Sequence, residues 1–418
     1  MSSGTSNSAC PTVDVHAHVW LPEVHALADG RPALVAYEEL ERARLGPESA
    51  RVSDRRFDEC RERLTDLGAR AAAMSAAGVD AQVVSVAPHL YHPWAGPSLA
   101  WAIAQATNEG VATHCAGLPE RLCGLGVAPI RHPEVALAAL EDAVVRCGLR
   151  GVEITSHATG PGGGPPTELS DPRLEPLWRR AEELDAVIFL HPWGCSLDAR
   201  LDRWYLSNSV GQPVEHVVAL SHLIFSGVLD RHPALRFVAA HGGGYLPAFA
   251  GRLDHAWLVR PEARTCRHLP SCYLRRLYYD TVVHAPEALV ALIRAVGVGR
   301  VLLGSDYPFD MGVEDPVRRV HEAVPDPVAA NAIRGGNAAD LSLLPATWPP
   351  GLHGAAPGPR GRPARTAGDG TAGGDGGEAG RRGWRRAPGR PPCPAVVAPG
   401  RARAATGAPA SSAISGDA

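Results

Sequence analysis

The chain has 418 residues, 45% hydrophobic and 20% charged, with a formal net charge of −3. That is a globular composition with room for one large domain or two ordinary ones, and its charge balance predicts neither nucleic acid nor an anionic membrane as partner. No apolar run is long enough to span a bilayer, and the opening "MSSGTSNSAC" has neither the basic start nor the apolar middle of a secretory signal.

In chain order, residues 1–10 read as a disordered N-terminus and residues 11–345 as a single body. Short β-rich apolar runs recur through that body: "TVDVHAH" (12–18), "AQVVSVA" (81–87), "LCGLGVA" (122–128) and "RGVEIT" (150–155). They continue as "AVIFLH" (186–191), "LRFVAAH" (235–241), "LYYDTVV" (277–283) and "RVLLGSD" (300–306). Amphipathic helical segments lie between them, such as "PEVALAALEDAVVRCG" and "PEALVALIRAVG", each opened by a proline suited to a first helical turn. Another helical run, "DPRLEPLWRRAEELD", begins after Ser170. Eight strands alternating with helices predict an α/β fold, a (β/α)8 TIM barrel, with a doubly wound open sheet as the alternative. The stretch 19–60 is too long for a βα connection and is expected to be an insertion over the barrel mouth. From residue 346 to 418 the chain is nearly all Gly, Ala, Pro and Arg, which predicts a disordered tail. Ten arginines and four acids give residues 351–418 a charge of +6, leaving −9 for the body. Nine scattered cysteines with no CxxC pair read as reduced thiols in a cytoplasm.

The chemistry-bearing residues sit where such a barrel places catalytic groups, at the carboxyl ends of the strands. "VDVHAHVW" puts His16 and His18 two residues apart, on one face of the first strand. The fifth strand ends in His191, the sixth in His241 and the eighth in Asp306. A lone histidine ending an apolar strand is more often a hydrogen-bonded core residue than a ligand, so His89, His92 and His284 are read that way. Five such groups at one end of a barrel predict a divalent cation instead. Imidazoles and a carboxylate suit zinc first, then manganese or iron, and zinc lowers the pKa of its bound water to about 7. His16, His18, His191 and Asp306 are the expected ligands. His241 is the expected base, and "HGGG" after it leaves the backbone open to a close approach by substrate. The competing reading makes His241 a fourth imidazole ligand and the glycines a turn.

The ordered set "DVHAH", "GLGVAPIRHPEVALAALE", "GVEITSH", "FLHPWG", "AAHGGGYLPAFAGRLDH", "YYDTVVHAPEAL" and "LLGSDYPF" resembles the amidohydrolase-related (amidohydrolase 2) metal-dependent enzymes over residues 12–340. The resemblance implies one zinc on His16, His18, His191 and Asp306, with His241 as the acid–base residue acting on metal-bound water. It implies that Trp193 lines the pocket and that Arg252 crosses a homodimer interface to hold the neighbour's substrate carboxylate. A second substrate arginine is expected from the insertion, with Arg55, Arg56, Arg61 and Arg63 all candidates. The chain contains no lysine, which excludes a carboxylated-lysine two-metal site and Schiff-base chemistry. The expected function is non-oxidative decarboxylation of a small unsaturated or aromatic carboxylic acid, without an organic cofactor. The alternatives are hydrolysis or hydration of a lactone, amide or enol acid, and a non-catalytic metal-binding protein.

Overall fold

The computed structural model describes residues 11–158 and 166–349. The expected N-terminal extension and the tail from residue 350 onward lie outside the described residues. All eight apolar runs become parallel strands: β1 (Val13–Val19), β2 (Ala81–Val86), β3 (Leu122–Gly124), β4 (Gly126–Val127), β5 (Gly151–Ile154), β6 (Val187–Leu190), β7 (Arg236–Ala239), β8 (Tyr278–Asp280) and β9 (Val301–Leu302). Strands β3 and β4 are one run broken at Leu125, whose amide donates back to the Val84 carbonyl at 2.9 Å. The ring closes between its last and first members. The Val15 amide donates to the Leu303 carbonyl at 2.9 Å, the His18 amide to the Tyr307 carbonyl at 2.8 Å, and Ala17 pairs with Tyr307. That closure makes a (β/α)8 barrel and rules out an open sheet.

Barrel strands are buried on both faces, which is why they read as continuous apolar runs. Val13, Val83, Leu125, Phe189, Val238 and Leu302 fill the interior, floored by Leu341, Leu343 and Leu344 from the end of the body. Their neighbours Val84, Ile188, Phe237 and Leu303 face outward into the layer shared with the helices, where Leu140, Trp178, Leu223 and Leu289 meet them. The expected prolines open their helices at Pro133–Glu141 and Pro286–Val296. The body runs past the expected limit at 345. Trp348 packs on the inner core, and its indole N–H donates to the Glu120 carbonyl at 2.6 Å. Among the described cysteines, Cys60, Cys115, Cys123, Cys147, Cys195 and Cys266 are free thiols.

The insertion is three helices, α1 (Pro22–Ala28), α2 (Pro32–Leu45) and α3 (Pro47–Thr65), and it ends five residues later than expected. Helices α2 and α3 supply one wall of the barrel mouth. On the other side lies the glycine run after β7. Gly242, Gly243 and Gly244 all hold left-handed φ values of 60, 70 and 63°. A Cβ at Gly243 would lie 2.7 Å from the Tyr279 ring, and one at Gly244 only 2.2 Å from the Pro213 carbonyl oxygen. Backbone packing therefore demands these glycines, a stronger cause than the expected approach by substrate. Gly244→Ala should cost about 2–4 kcal/mol of stability, read as a lowered unfolding midpoint; an unchanged midpoint would contradict this packing.

Candidate active site

The five expected groups meet at the carboxyl end of the barrel. In β1 a register shift falls between Asp14 and Ala17. Val15 packs in the inner core and Val19 in the outer one, although strict alternation would put both on one face. The irregularity turns His16 and His18 toward the barrel axis, a common use of a bulge beside a site. Their Nε2 atoms lie 3.1 Å apart. Asp306, in the left-handed region at φ 59°, places Oδ1 3.3 Å from the Nε2 of His16 and 3.2 Å from that of His18. Its Oδ2 is 3.4 Å from the Nε2 of His241. One donor atom from each of His16, His191, His241 and Asp306 can be chosen so that all lie within 4.8 Å of one another.

The far side of each ring decides what these atoms can do. His18 Nδ1 donates to the Val86 carbonyl at 3.2 Å and His191 Nδ1 to the Pro192 carbonyl at 3.0 Å. His16 Nδ1 donates to Asp280 at 2.6 Å, and Asp280 is itself held by the amides of Gly242 and Val282. Carbonyls accept only, so the Nε2 atoms of His18 and His191 are left as lone pairs. His191 Nε2 and Asp306 Oδ1 are buried with no hydrogen-bond partner. A bare His191 lone pair and an unpartnered carboxylate oxygen are costly to bury together unless a cation sits beside them. The residues present therefore fit a divalent metal ion, with the carbonyls and Asp280 orienting the imidazoles from behind.

Protonation agrees. Burial lowers His18, and burial with the charges of His241, His16 and His18 itself takes His191 well below the ordinary histidine range. Burial also opposes charge on His16, but Asp306 and Asp280 outweigh it and raise His16 to about 10. Burial would raise Asp306, yet His16, His18 and His241 hold it well below the usual carboxylate range.

His191, His241 and Asp306 face a cavity of about 690 Å³, walled by Tyr37, Phe57, Trp193, Leu292 and Phe309. Trp193 lines it as expected. Arg252 does not: it is exposed on the helix Leu246–Val259, away from its own chain's site. Of the four insertion arginines considered, only Arg56 lines the cavity, paired with Glu59 at 2.8 Å. Arg42 and Arg44 of α2 also line it, paired with Asp54 and Glu41.

Three contributors escaped the sequence reading. Asp280 sits inside "LYYDTVV", an apolar run broken by an acid, and that interruption was its signal. His216, wholly buried, places Nε2 3.3 Å from the Nδ1 of His241. His89 lines the cavity instead of the core and is exposed there. His92 is buried as expected, but neither of its ring nitrogens is hydrogen-bonded.

A cluster of buried imidazoles and a carboxylate at the carboxyl end of a (β/α)8 barrel, opening on an apolar cavity, has the layout of a metal-dependent barrel enzyme. Residues 13–341 match the amidohydrolase family model, and the chain belongs to that family. It is 35% identical over 236 residues to the 2-amino-3-carboxymuconate-6-semialdehyde decarboxylase of Dictyostelium discoideum, across 56% of this chain and 64% of that protein. The match therefore spans a little less than two thirds of that relative's length. Identity to the enzyme of the same name from Caenorhabditis elegans is 28% over 376 residues, covering 77% of this chain and 91% of that one. The crystal structure of a dihydroxybenzoic acid decarboxylase from Polaromonas sp. JS666, with bound manganese, superposes with a TM-score of 0.67. Its sequence identity is 23%, over 79% of this chain and 96% of that chain.

If His16 is a ligand, metal uptake must displace its proton. That proton is held below a pKa of about 10, so apparent affinity should rise about tenfold per pH unit from 7 toward 10. Competitive chelator titration reads this, and affinity independent of pH would remove His16 from the ligand set.

Proposed function

We propose that the protein is a metal-dependent, non-oxidative decarboxylase of a small aromatic or unsaturated carboxylic acid. The observation that carries this reading is the convergence of His16, His18, His191, His241 and Asp306 at one point beside an apolar cavity. The decarboxylases among its relatives support it. His16, His18, His191 and Asp306 would hold the ion, zinc first by donor type, with manganese or iron as the other ions of this set. Such an ion supplies Lewis-acid stabilisation of negative charge on substrate oxygen.

The chain's own groups account for the rest. The side chains of Trp193, Phe309 and Leu292 exclude water, and a carboxylate held there is less well solvated than the neutral carbon dioxide it becomes. His241 turns Nε2 toward Asp306 and the cavity. In this reading Nε2 delivers a proton to the carbon that loses carbon dioxide, as the electron pair of the broken carbon–carbon bond is left there.

Arg252 completes the site from a second copy. Its helix carries Phe249 and Val259, exposed at 66% and 53%, with Tyr245 beside them, an apolar strip suited to a homodimer face. A guanidinium crossing that face would hold a carboxylate bidentately. No described helix is long and apolar enough to cross a membrane. The six free thiols support a cytoplasmic setting.

The metal-loaded enzyme, given ortho-hydroxylated benzoates and 2-amino-3-carboxymuconate semialdehyde, should release carbon dioxide and, in D2O, place one deuterium on the vacated carbon. His241→Ala should lower kcat about 10²–10⁴-fold with metal content unchanged. Water incorporated without carbon dioxide would make the enzyme a hydrolase or hydratase, and loss of the metal would make His241 a ligand. Mixing the inactive variants Arg252→Ala and His241→Ala should restore roughly a quarter of the activity, one working site per mixed dimer. No restoration would place Arg252 outside the site.

A further inference from the structure

His89 stands in the cavity wall inside a box of aromatic rings. Its ring centroid is 4.3 Å from that of Trp193, 5.4 Å from Phe57, 5.8 Å from Phe309 and 6.5 Å from Trp20. An apolar ring would fill such a box without cost. The exposed imidazole instead brings one N–H donor and one acceptor, which a ligand displacing water from this wall has to satisfy. His132 and His232 have theirs: His132 donates to the Ala95 carbonyl, and His232 lies between Glu175 and Glu182, whereas His92, sealed in the core, has none. Among the described residues neither nitrogen of His89 has a protein hydrogen-bond partner, and the residue opens on the cavity.

Position narrows the ligand further. Phe309 bridges His89 to the cation site, its centroid 5.8 Å from His89 and 5.3 Å from His18. Those two steps put the two imidazoles at most about 11 Å apart. A single substituted ring spans that gap, with its carboxylate end at Asp306 and His241 and its far edge at His89. The geometry points to His89 as the specificity-determining residue that hydrogen-bonds a hydroxyl on the substrate's edge remote from the carboxylate. This rests on the decarboxylase reading above. His89 would select hydroxylated ring acids over their deoxy counterparts, because the deoxy acid leaves the imidazole unpaired in an apolar wall.

The test compares 2,4-dihydroxybenzoate with 2-hydroxybenzoate, which lacks only the remote hydroxyl. For the metal-loaded enzyme, kcat/KM and calorimetric Kd are both measured for each acid. We expect the wild type to prefer the dihydroxy acid about tenfold or more. His89→Phe, which keeps a ring in the box, should bring that preference to near unity with metal content unchanged, and His89→Gln should restore part of it. No preference in the wild type, or a preference that survives His89→Phe, overturns the inference. A binding preference that depends on His89 without carbon dioxide release keeps the inference and sinks the decarboxylase reading. Carbon dioxide released equally from both acids does the reverse.

Discussion

The site depends on one electrostatic requirement: the lone pairs of buried imidazoles and the Asp306 carboxylate face one another with no hydrogen supplied by the protein between His191 and Asp306. Backbone carbonyls at Val86 and Pro192 fix two of the rings in the tautomer that leaves Nε2 bare, and Asp280 does the corresponding work behind His16. A positive charge has to occupy the middle. A divalent ion is the natural occupant of that point. The cavity, the aromatic wall and His241 are all arranged around that point.

The rest of the fold serves to hold the strand tips in place. Arg70, wholly buried, donates to the His18 carbonyl at 2.5 Å and to Gln82 at 2.9 Å, and its guanidinium lies 5.0 Å from the Tyr307 ring centroid. Gln82 donates in turn to Asp14, which also accepts from Ser305. This chain of buried contacts joins β1 to the loop that carries Asp306, so the first and last members of the barrel share one polar network. Removing a single member would leave buried polar groups unpaired, a larger effect than the loss of one hydrogen bond.

The strands and the ligand-bearing tips were legible because barrel strands are apolar on both faces, so a histidine or aspartate ending such a run stands out. His16, His18, His191, His241 and Asp306 were visible this way, and the structure brings all five together. Other features were written in three dimensions only. His89 and His92 look alike in "PHLYHP", yet one opens on the cavity and the other is sealed in the core. His216 lies on a helix whose apolar face hides that its ring meets His241. The glycines after His241 were visible, but their cause, a carbonyl and a tyrosine ring pressed against the backbone, was not. The insertion arginines could not be sorted because every one lies on a solvated helix with an acid three or four residues away or across the hairpin.

Anomalous diffraction from crystals of the metal-loaded protein, collected at the ion's absorption edge, would locate the ion among these side chains. One strong peak is expected, enclosed by the Nε2 atoms of His16, His18 and His191 and a carboxylate oxygen of Asp306, with His241 facing the cavity outside that shell. No peak there, or an ion bound without Asp306, would contradict this ligand set.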